Sequence, residues 1–578
     1  MATITVTDHA GRTFAVAANA GLTLAQAVYL ATDPPPLCSG LGRCGLCRMR
    51  VLAGPGGAAA PAPTPEDARI LGPGELAEGW RLGCRHRAEP GMAVQLPPPV
   101  RRAMGPGALP AAQAPAAQAP AAPAASPAPQ ASAALALAVD LGTTTVHWAA
   151  LDPSQDGAEV ASGAFLNPQM GAGSEVMSRL AFAQAHGADG LRRPVLDRLR
   201  AVVAELAAAR GAAVRELCVA GNPAMVHLLL GLPVDALAHA PYGLATRGGD
   251  VGALPDLPPV YAAPLLAPFV GGDLSAGLAW ALRGDEPPKF PFLLADMGTN
   301  GEFVLALSED EIWCASVALG PALEGIGLTF GAVAGAGAVA SFGLAPTGLF
   351  ARLVEEGGAA SCAPGATCAP GAPPASCACP SCAPGPQAPS GPAPTAITGA
   401  GYLSLVAALL RAGVLDERGA FRAADDPALP PLARRLAAQV REAAGERRLA
   451  LPGGLYLTGA DVEEILKVKA ACNVAFVRLL EAAGAAPTDL AEVLLAGALG
   501  AHAVPEDLAA LGFFPPGLAR RVRVVGNASL AGARLLLHRP ELRAPLEGAA
   551  RAARVVELAG DAAFNRRFID AMVFTHVQ

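Results

Sequence analysis

Charged side chains are scarce in this chain: Asp, Glu, Lys and Arg make up 16% of its 578 residues, and the formal net charge is -7 at pH 7. That balance gives no electrostatic reason to expect nucleic acid as a partner. Long apolar runs are missing too. No uninterrupted stretch reaches the roughly eighteen residues of a membrane span, although apolar residues make up 52% of the chain and large cores can be buried. The opening MATITVTDHA runs into a polar, strand-like alternation rather than a secretory signal. A disulfide framework is therefore not expected, and a soluble cytoplasmic protein is the default. No GxxxxGK[ST] sequence occurs anywhere, so any phosphate chemistry must be of another type than the P-loop.

Against these absences stand four cysteines, Cys38, Cys44, Cys47 and Cys84, in CSGLGRCGLC and WRLGCRHR. Three thiols on one loop and a fourth far along the chain suit the four thiolates of a [2Fe-2S] cluster. Gly40, Gly42 and Gly45 would supply the positive φ values and inward N–H groups that such a loop needs. A zinc site would usually show two close CxxC pairs, and Cys84 has no close partner. Around the cysteines, ITVTDHAGRTFAV reads as two strands across a turn and LTLAQAVYLA as a helix. This opening resembles the β-grasp [2Fe-2S] ferredoxin family over about residues 1–100. The five residues between Cys38 and Cys44 place the loop nearer the adrenodoxin-type pattern than the plant-type one.

From 101 to 134 the chain becomes AAQAPAAQAPAAPAASPAPQ-like, without apolar periodicity. Such a Pro/Ala-rich linker favours extended conformations of about 3.1 Å per residue and would let the ferredoxin swing. A second biased stretch, 357–394, carries Cys362, Cys368, Cys377, Cys379 and Cys382 among APG repeats and reads as a disordered insertion. Cys218, Cys314 and Cys472 lie in apolar contexts and read as core residues.

After the linker, ALALAVDLGTTTVHWAALD interrupts two apolar runs with Asp140, Gly142, Thr143, Thr144 and Thr145. A tight turn between strands offers N–H groups and hydroxyls to phosphate, and the carboxylate at the strand end can hold a hydrated Mg²⁺. The pattern recurs in FPFLLADMGTNGEFVLAL with Asp296, Gly298, Thr299, Asn300 and Gly301, about 155 residues on. Two such loops predict a duplicated fold with a nucleotide between its halves. In AEVLLAGALGAHAVPEDL, Gly497 and Gly500 follow an apolar strand and leave room for adenine and ribose. Together these elements resemble the acetate kinase, sugar kinase, heat-shock ATPase and actin superfamily. The predicted architecture is multidomain, α+β and α/β: a β-grasp ferredoxin at 1–100, a linker at 101–134, and a two-lobed actin-like (ASKHA) ATPase with lobes at 135–290 and 291–578.

FLNPQMGAGSEVMSRL, VAGNPAMVHLLLG, GPALEGIGLTFGAVAGAG and DVEEILKVKAA narrow the resemblance to the reductive activators of corrinoid proteins, and it covers nearly the whole chain. The resemblance implies an ATP-dependent iron–sulfur reductase that returns Co(II) corrinoid to Co(I) on a partner protein of a methyltransferase system. It implies an upstream low-potential electron donor, ATP and Mg²⁺ as well as the cluster, and a homodimer. It puts Asp140 and Asp296 in the two phosphate loops and Glu324 near the nucleotide, the three candidate catalytic residues, and matches Asp461 and Lys469 to a characteristic helix. ITGAGYLSL departs from the family pattern around Gly399 and Gly401. GAVAGAGAVAS resembles part of a dinucleotide fingerprint, but the expected acidic residue is missing.

A plant-type cluster lies near about -400 mV, and each 59 mV uphill is about a tenfold penalty for one electron. A gap of roughly 150 mV therefore costs about 3.5 kcal/mol, a scale within reach of nucleotide-driven coupling. No DxHxxG corrinoid-binding motif is present, so the corrinoid would arrive on another protein. The alternatives are a small-molecule kinase with a redox-sensing ferredoxin, and an electron-transfer adaptor with a vestigial nucleotide fold.

Overall fold

The computed structural model describes residues 3–19, 21–52, 60–98, 134–335, 337–354, 394–443, 445–497, 503–558 and 561–577. The Pro/Ala-rich stretch and the Cys-rich insertion lie almost wholly outside the described residues.

At the N-terminus, alternating TITVT and TFAVA pair antiparallel, Thr3–Thr7 with Thr13–Ala17. Asp8 fastens the turn between them, accepting from the N–H groups of Ala10 and Arg12 at 2.9 Å. The short helix Leu24–Tyr29 starts at a capping box in which Thr23 and Gln26 satisfy each other's backbone N–H. A five-stranded mixed sheet results, in the order Thr13–Ala17, Thr3–Thr7, Ala93–Gln95, Arg48–Leu52, Trp80–Leu82. This is a β-grasp strand order. Its core of Ile4, Val6, Leu24, Val28, Met49, Leu82 and Val94 is fully buried.

The remainder is built on two six-stranded sheets of matching design. In the first, Ala134–Leu141, Thr145–Asp152 and Ala158–Leu166 form an antiparallel meander, and Ala213–Gly221 and then Pro259–Ala262 add on in parallel. In the second, Phe292–Met297, Asn300–Ala306 and Ile312–Ala318 make the meander, with Glu492–Ala496 and Val522–Gly526 added in parallel. The helix Gly272–Arg283 follows the first set and Ala528–His538 follows the second. These two helices pack on each other between the sheets. Leu274 and Leu278 bury with Phe292 and Leu294 of the second sheet, whereas Ala276, Ala279, Ala533 and Leu536 bury with Ala136, Ala138 and Cys218 of the first.

Small residues permit the crossing. A Cβ on Gly532 would lie 1.9 Å from the Ala276 carbonyl oxygen, so glycine is required there by backbone contact rather than by conformation. The long helix Gly459–Ala483 supports the far side of the second lobe. Asp461 closes a capping box with Thr458 and accepts from the Thr329 N–H at 2.8 Å. Lys469, fully buried, donates to the carbonyls of Ala571 (3.1 Å), Val573 (2.7 Å) and Thr575. Both residues therefore tie this helix to neighbouring backbone. Cys218, Cys314 and Cys472 are buried, as their contexts suggested.

The N-terminal domain rests on the lobes. Its helix Leu24–Tyr29 meets the turn Pro168–Gly171, Ser39 is hydrogen-bonded to Ser174, and Arg43 pairs with Glu464 of the long helix at 3.1 Å.

Because the crossing leaves no room, Gly532→Ala is expected to cost about 1–3 kcal/mol of stability. Gly548→Ala, in the helix Arg543–Ala552 with open space around its Cβ position, should gain about 0.5–1 kcal/mol. Urea unfolding of the two variants distinguishes a packing constraint from general helix propensity; equal shifts would refute it.

Candidate functional site

Both Asp-x-Gly-Thr loops open into one cleft of ≈ 360 Å³ between the sheets. Gly142 is required by close approach, since a Cβ there would sit 2.4 Å from the Thr145 carbonyl oxygen. The two loops touch through Thr144 Oγ1 and Thr299 Oγ1 at 3.0 Å. Thr299 Oγ1 also donates to Glu324 Oε1 at 2.8 Å. Glu324 ends a short 3-10 turn, Pro321–Glu324, that follows the second meander. Asn222 Nδ2 donates to Thr143 Oγ1 at 2.9 Å.

The central helices bring polar groups to the same place because both begin there. Asp273 lies in the first turn of one. At the start of the other, Asn527 Nδ2 and Ser529 Oγ donate to the two oxygens of Asp140 at 2.7 and 2.9 Å. Asp140, Asp273, Asp296, Glu302 and Glu324 thus share one cleft whose lining, among the described residues, contains neither Lys nor Arg. Burial, with Asp273, Asp140 and Glu324 nearby, pushes the Asp296 carboxyl up to about 8. Burial and then Asp140 push Asp273 up to about 7. Glu302 and Glu324 are raised as well, chiefly by burial. A set of carboxyls that resists ionising for want of a cation suits a divalent metal brought in with a polyphosphate.

Asp140, Gly142, Thr143, Thr144, Thr145, Asp296, Gly298, Thr299, Asn300, Glu324 and Gly497 all line the cleft. Gly301 does not: it packs against Leu319, and Glu302 faces the cleft instead, as strand alternation from Asn300 requires. Gly500 lies outside the described residues. Gly497 adopts φ 91, and a Cβ there would meet Asp296 Oδ1 at 2.3 Å, so its smallness makes room for the second loop. Thr398, Gly399 and Ala400 reach the cleft, with Thr398 capping the helix Gly399–Ala412. Ala332, Val333 and Ala334 of the GAVAG run also line it. Asp273, Asn222, Asn527 and Ser529 were not singled out from sequence, though VGGDLSAG and VVGNASLAG form a repeated signal for the two helix starts.

In the N-terminal domain all four thiols border a second cavity of ≈ 220 Å³ and are free. They stand in two pairs. Cys47 Sγ and Cys84 Sγ are 3.3 Å apart, and Cys44 is hydrogen-bonded to Cys38, which together with the backbone N–H groups of Cys44, Arg43 and Leu41 lowers Cys38 to about 5. Cys47 likewise lowers Cys84. Gly40, Gly42 and Gly45 have φ of 78, 66 and 67, the positive values that turn this loop inward. Asp67 positions Cys84: it accepts from Leu82 N at 2.7 Å and pairs with His86 Nε2 at 2.7 Å, on either side of that thiol. Among the described residues no three His, Cys, Asp or Glu side chains converge on a single ion. Two thiol pairs fit two irons with two thiolates each better than one tetrahedral zinc. Met170, Gly171, Ala172 and Gly173 of the first lobe complete the cavity wall.

Duplicated sheets with a shared carboxylate-rich cleft define a two-lobed nucleotide-binding protein of the ASKHA class, here carrying a small four-cysteine domain. Family models agree: residues 291–578 match the C-terminal domain of RACo, the ASKHA domain, and residues 135–282 match the RACo middle region. The chain belongs to the RACo family. It is 28% identical over 461 residues to the corrinoid activation enzyme RamQ of Eubacterium limosum, covering 76% of this chain and 70% of RamQ. It is 26% identical over 384 residues to the [Co(II) methylated amine-specific corrinoid protein] reductase of Methanosarcina barkeri, covering 63% of each. The solved structure of a reductive activator for corrinoid, iron-sulfur protein superposes with a TM-score of 0.63 at 21% identity, over 100% of this chain and 99% of that one. Among the described residues no helix is long and apolar enough to cross a membrane.

The raised carboxyls carry a pH signature. Asp296 and Asp273 bind a proton more tightly folded than unfolded, so their contribution to stability is full below about pH 4 and is lost as pH rises through 7 and 8. In divalent-free buffer the melting temperature should fall between about pH 5 and 8, and Mg²⁺ with ADP should restore more of it at the higher pH. A flat profile by scanning calorimetry would count against the cluster.

Proposed function

We propose that this chain is an ATP-dependent reductive activator: it passes single electrons to the Co(II) corrinoid of a partner protein in a methyltransferase system and so regenerates Co(I). The names of the relatives support the substrate. The observation that carries the reading is the meeting of the two phosphate loops, Thr144 on Thr299 at 3.0 Å, in a chain that also holds four paired thiols.

In this reading Cys38, Cys44, Cys47 and Cys84 hold a [2Fe-2S] cluster, which when bound supplies a one-electron carrier. An upstream low-potential donor refills it. Gly142, Thr143, Thr144 and Thr145 on one side and Gly298, Thr299 and Asn300 on the other receive the phosphates of ATP, with Gly497 beside the nucleotide. Asp140 and Asp296 would hold Mg²⁺, which would offset the charge of the phosphates, and Asn527 and Ser529 keep the Asp140 carboxylate oriented. Glu324, held by Thr299 and raised by burial, accepts the proton of the attacking water. Closure of the lobes around ATP provides the conformational work, and hydrolysis resets it.

Anaerobic mixing with a Co(II) corrinoid protein, a low-potential reductant and ATP, read by visible absorbance, tests this. Co(I) should form only with ATP, and Asp296→Asn should slow it about a hundredfold or more, while Cys44→Ala should abolish it. Equal Co(I) without ATP would sink the proposal.

A further inference from the structure

Between the two sites lies a single segment, residues 167–174, with the sequence NPQMGAGS. At one end it is bonded to the first phosphate loop: Asn167 N donates to the Thr144 carbonyl at 2.8 Å and Asn167 Nδ2 to the Gly142 carbonyl at 2.9 Å. At the other end Ser174 N donates to Ser39 Oγ at 2.8 Å, beside Cys38. In between, Met170 to Gly173 wall the cysteine cavity, and Gly171 lies so close to the Tyr29–Leu30 backbone that a Cβ would be 2.7 Å from the Tyr29 carbonyl carbon.

Arg179 holds the segment in this shape. Its side chain is completely buried, and its Nε donates to the Gly173 carbonyl at 2.9 Å, one Nη to Gln169 Oε1 at 3.2 Å, and the other Nη to the Thr143 carbonyl. A buried guanidinium is costly, and a carboxylate is its usual partner. Here the fork instead joins the backbone of the phosphate loop to the backbone of the cavity wall. An apolar side chain could fill the space but could not make that link.

We propose that Arg179 is a positioning residue for electron transfer: it ties the first phosphate loop to the 167–174 segment, so that ATP in the cleft sets how the four-cysteine domain is held. The proposal rests on the ATP-dependent reading above. Threonines that turn toward phosphate carry the Thr143 and Thr144 carbonyls with them, and Arg179 and Asn167 transmit the shift to Gly173 and Ser174. From there it reaches Ser39 and the loop bearing Cys38, Cys44 and Cys47.

Hydrogen exchange of the full-length, cluster-loaded protein with and without a non-hydrolysable ATP analogue tests it, with nucleotide affinity measured by calorimetry on the same samples. In the native chain the analogue should change the exchange of amides 38–47 by about fivefold or more, the low end of allosteric coupling. In Arg179→Lys, which keeps the charge and loses the fork, the change should vanish. Gly171→Ala, which pushes the domain off its seat, should also lose it while the analogue still binds, and this variant decides the matter should Arg179→Lys fail to fold. Binding without any exchange response in the native chain, or a full response in Gly171→Ala, overturns the coupling and leaves the ATP reading intact. A native chain that binds no nucleotide overturns both.

Discussion

The close crossing of the helices Gly272–Arg283 and Ala528–His538 is the contact on which the rest depends. Each helix starts where a parallel strand of its own sheet ends, so the crossing sets the separation of the sheets and delivers both helix starts to the cleft. Gly532 against the Ala276 carbonyl is the tightest point, and Gly277 faces Ala528 nearby. Pushing the helices apart would withdraw Asn527 and Ser529 from Asp140 and separate Thr144 from Thr299. Apolar packing of unremarkable residues therefore decides the geometry of a polar site many residues away in sequence.

That geometry has an electrostatic consequence. Five carboxyl groups share one cleft where burial weakens screening, and among the described residues no Lys or Arg shares the lining. Such a cleft is incomplete by itself. In the proposed function a divalent cation arriving with a triphosphate would supply the missing charge, and the hydroxyls of Thr143, Thr144 and Thr299 would supply donors to the phosphates. The energy of closing the lobes would then come from the ligand, so that nucleotide state could drive a conformational change.

Much of this was legible in the sequence, for identifiable reasons. Asp140–Thr145 and Asp296–Asn300 stand out because each interrupts an apolar run with the same polar pattern, and the structure lays both on one cleft. The strand–turn–strand–helix opening of the N-terminal domain likewise follows the alternation of TITVT and TFAVA. Proximity in sequence groups Gly301 with Thr299 and Asn300, but the strand begins at Asn300, so period two turns Gly301 away and Glu302 in. Asp273 and Asn527 were harder to see because a lone polar residue at a helix start reads as a cap. Only the folded arrangement shows that both starts converge. Asp461 and Lys469 show the opposite case, polar residues in a distinctive helix whose partners, Thr329 and Thr458 for one and backbone carbonyls for the other, lie in the same lobe.

The relation between the two cavities was not legible at all, because it arises from the seating of one domain on another. Composition alone describes the Pro/Ala-rich stretch as a tether, and a tether by itself makes the carrier's position independent of the nucleotide. Seating changes this. Ser39 on Ser174 and Gly171 against the Tyr29–Leu30 backbone are short, directional contacts, whereas Arg43 with Glu464 is a half-exposed ion pair of little strength. Leu22 and Leu30 pack against the first-lobe core as well, but the hydrogen-bonded part of the seat falls on the segment that also touches the Thr143–Thr144 loop. A seat whose hydrogen bonds are shared with that loop can be biased by coupling of modest size, and this is the property that the proposed nucleotide-gated carrier requires.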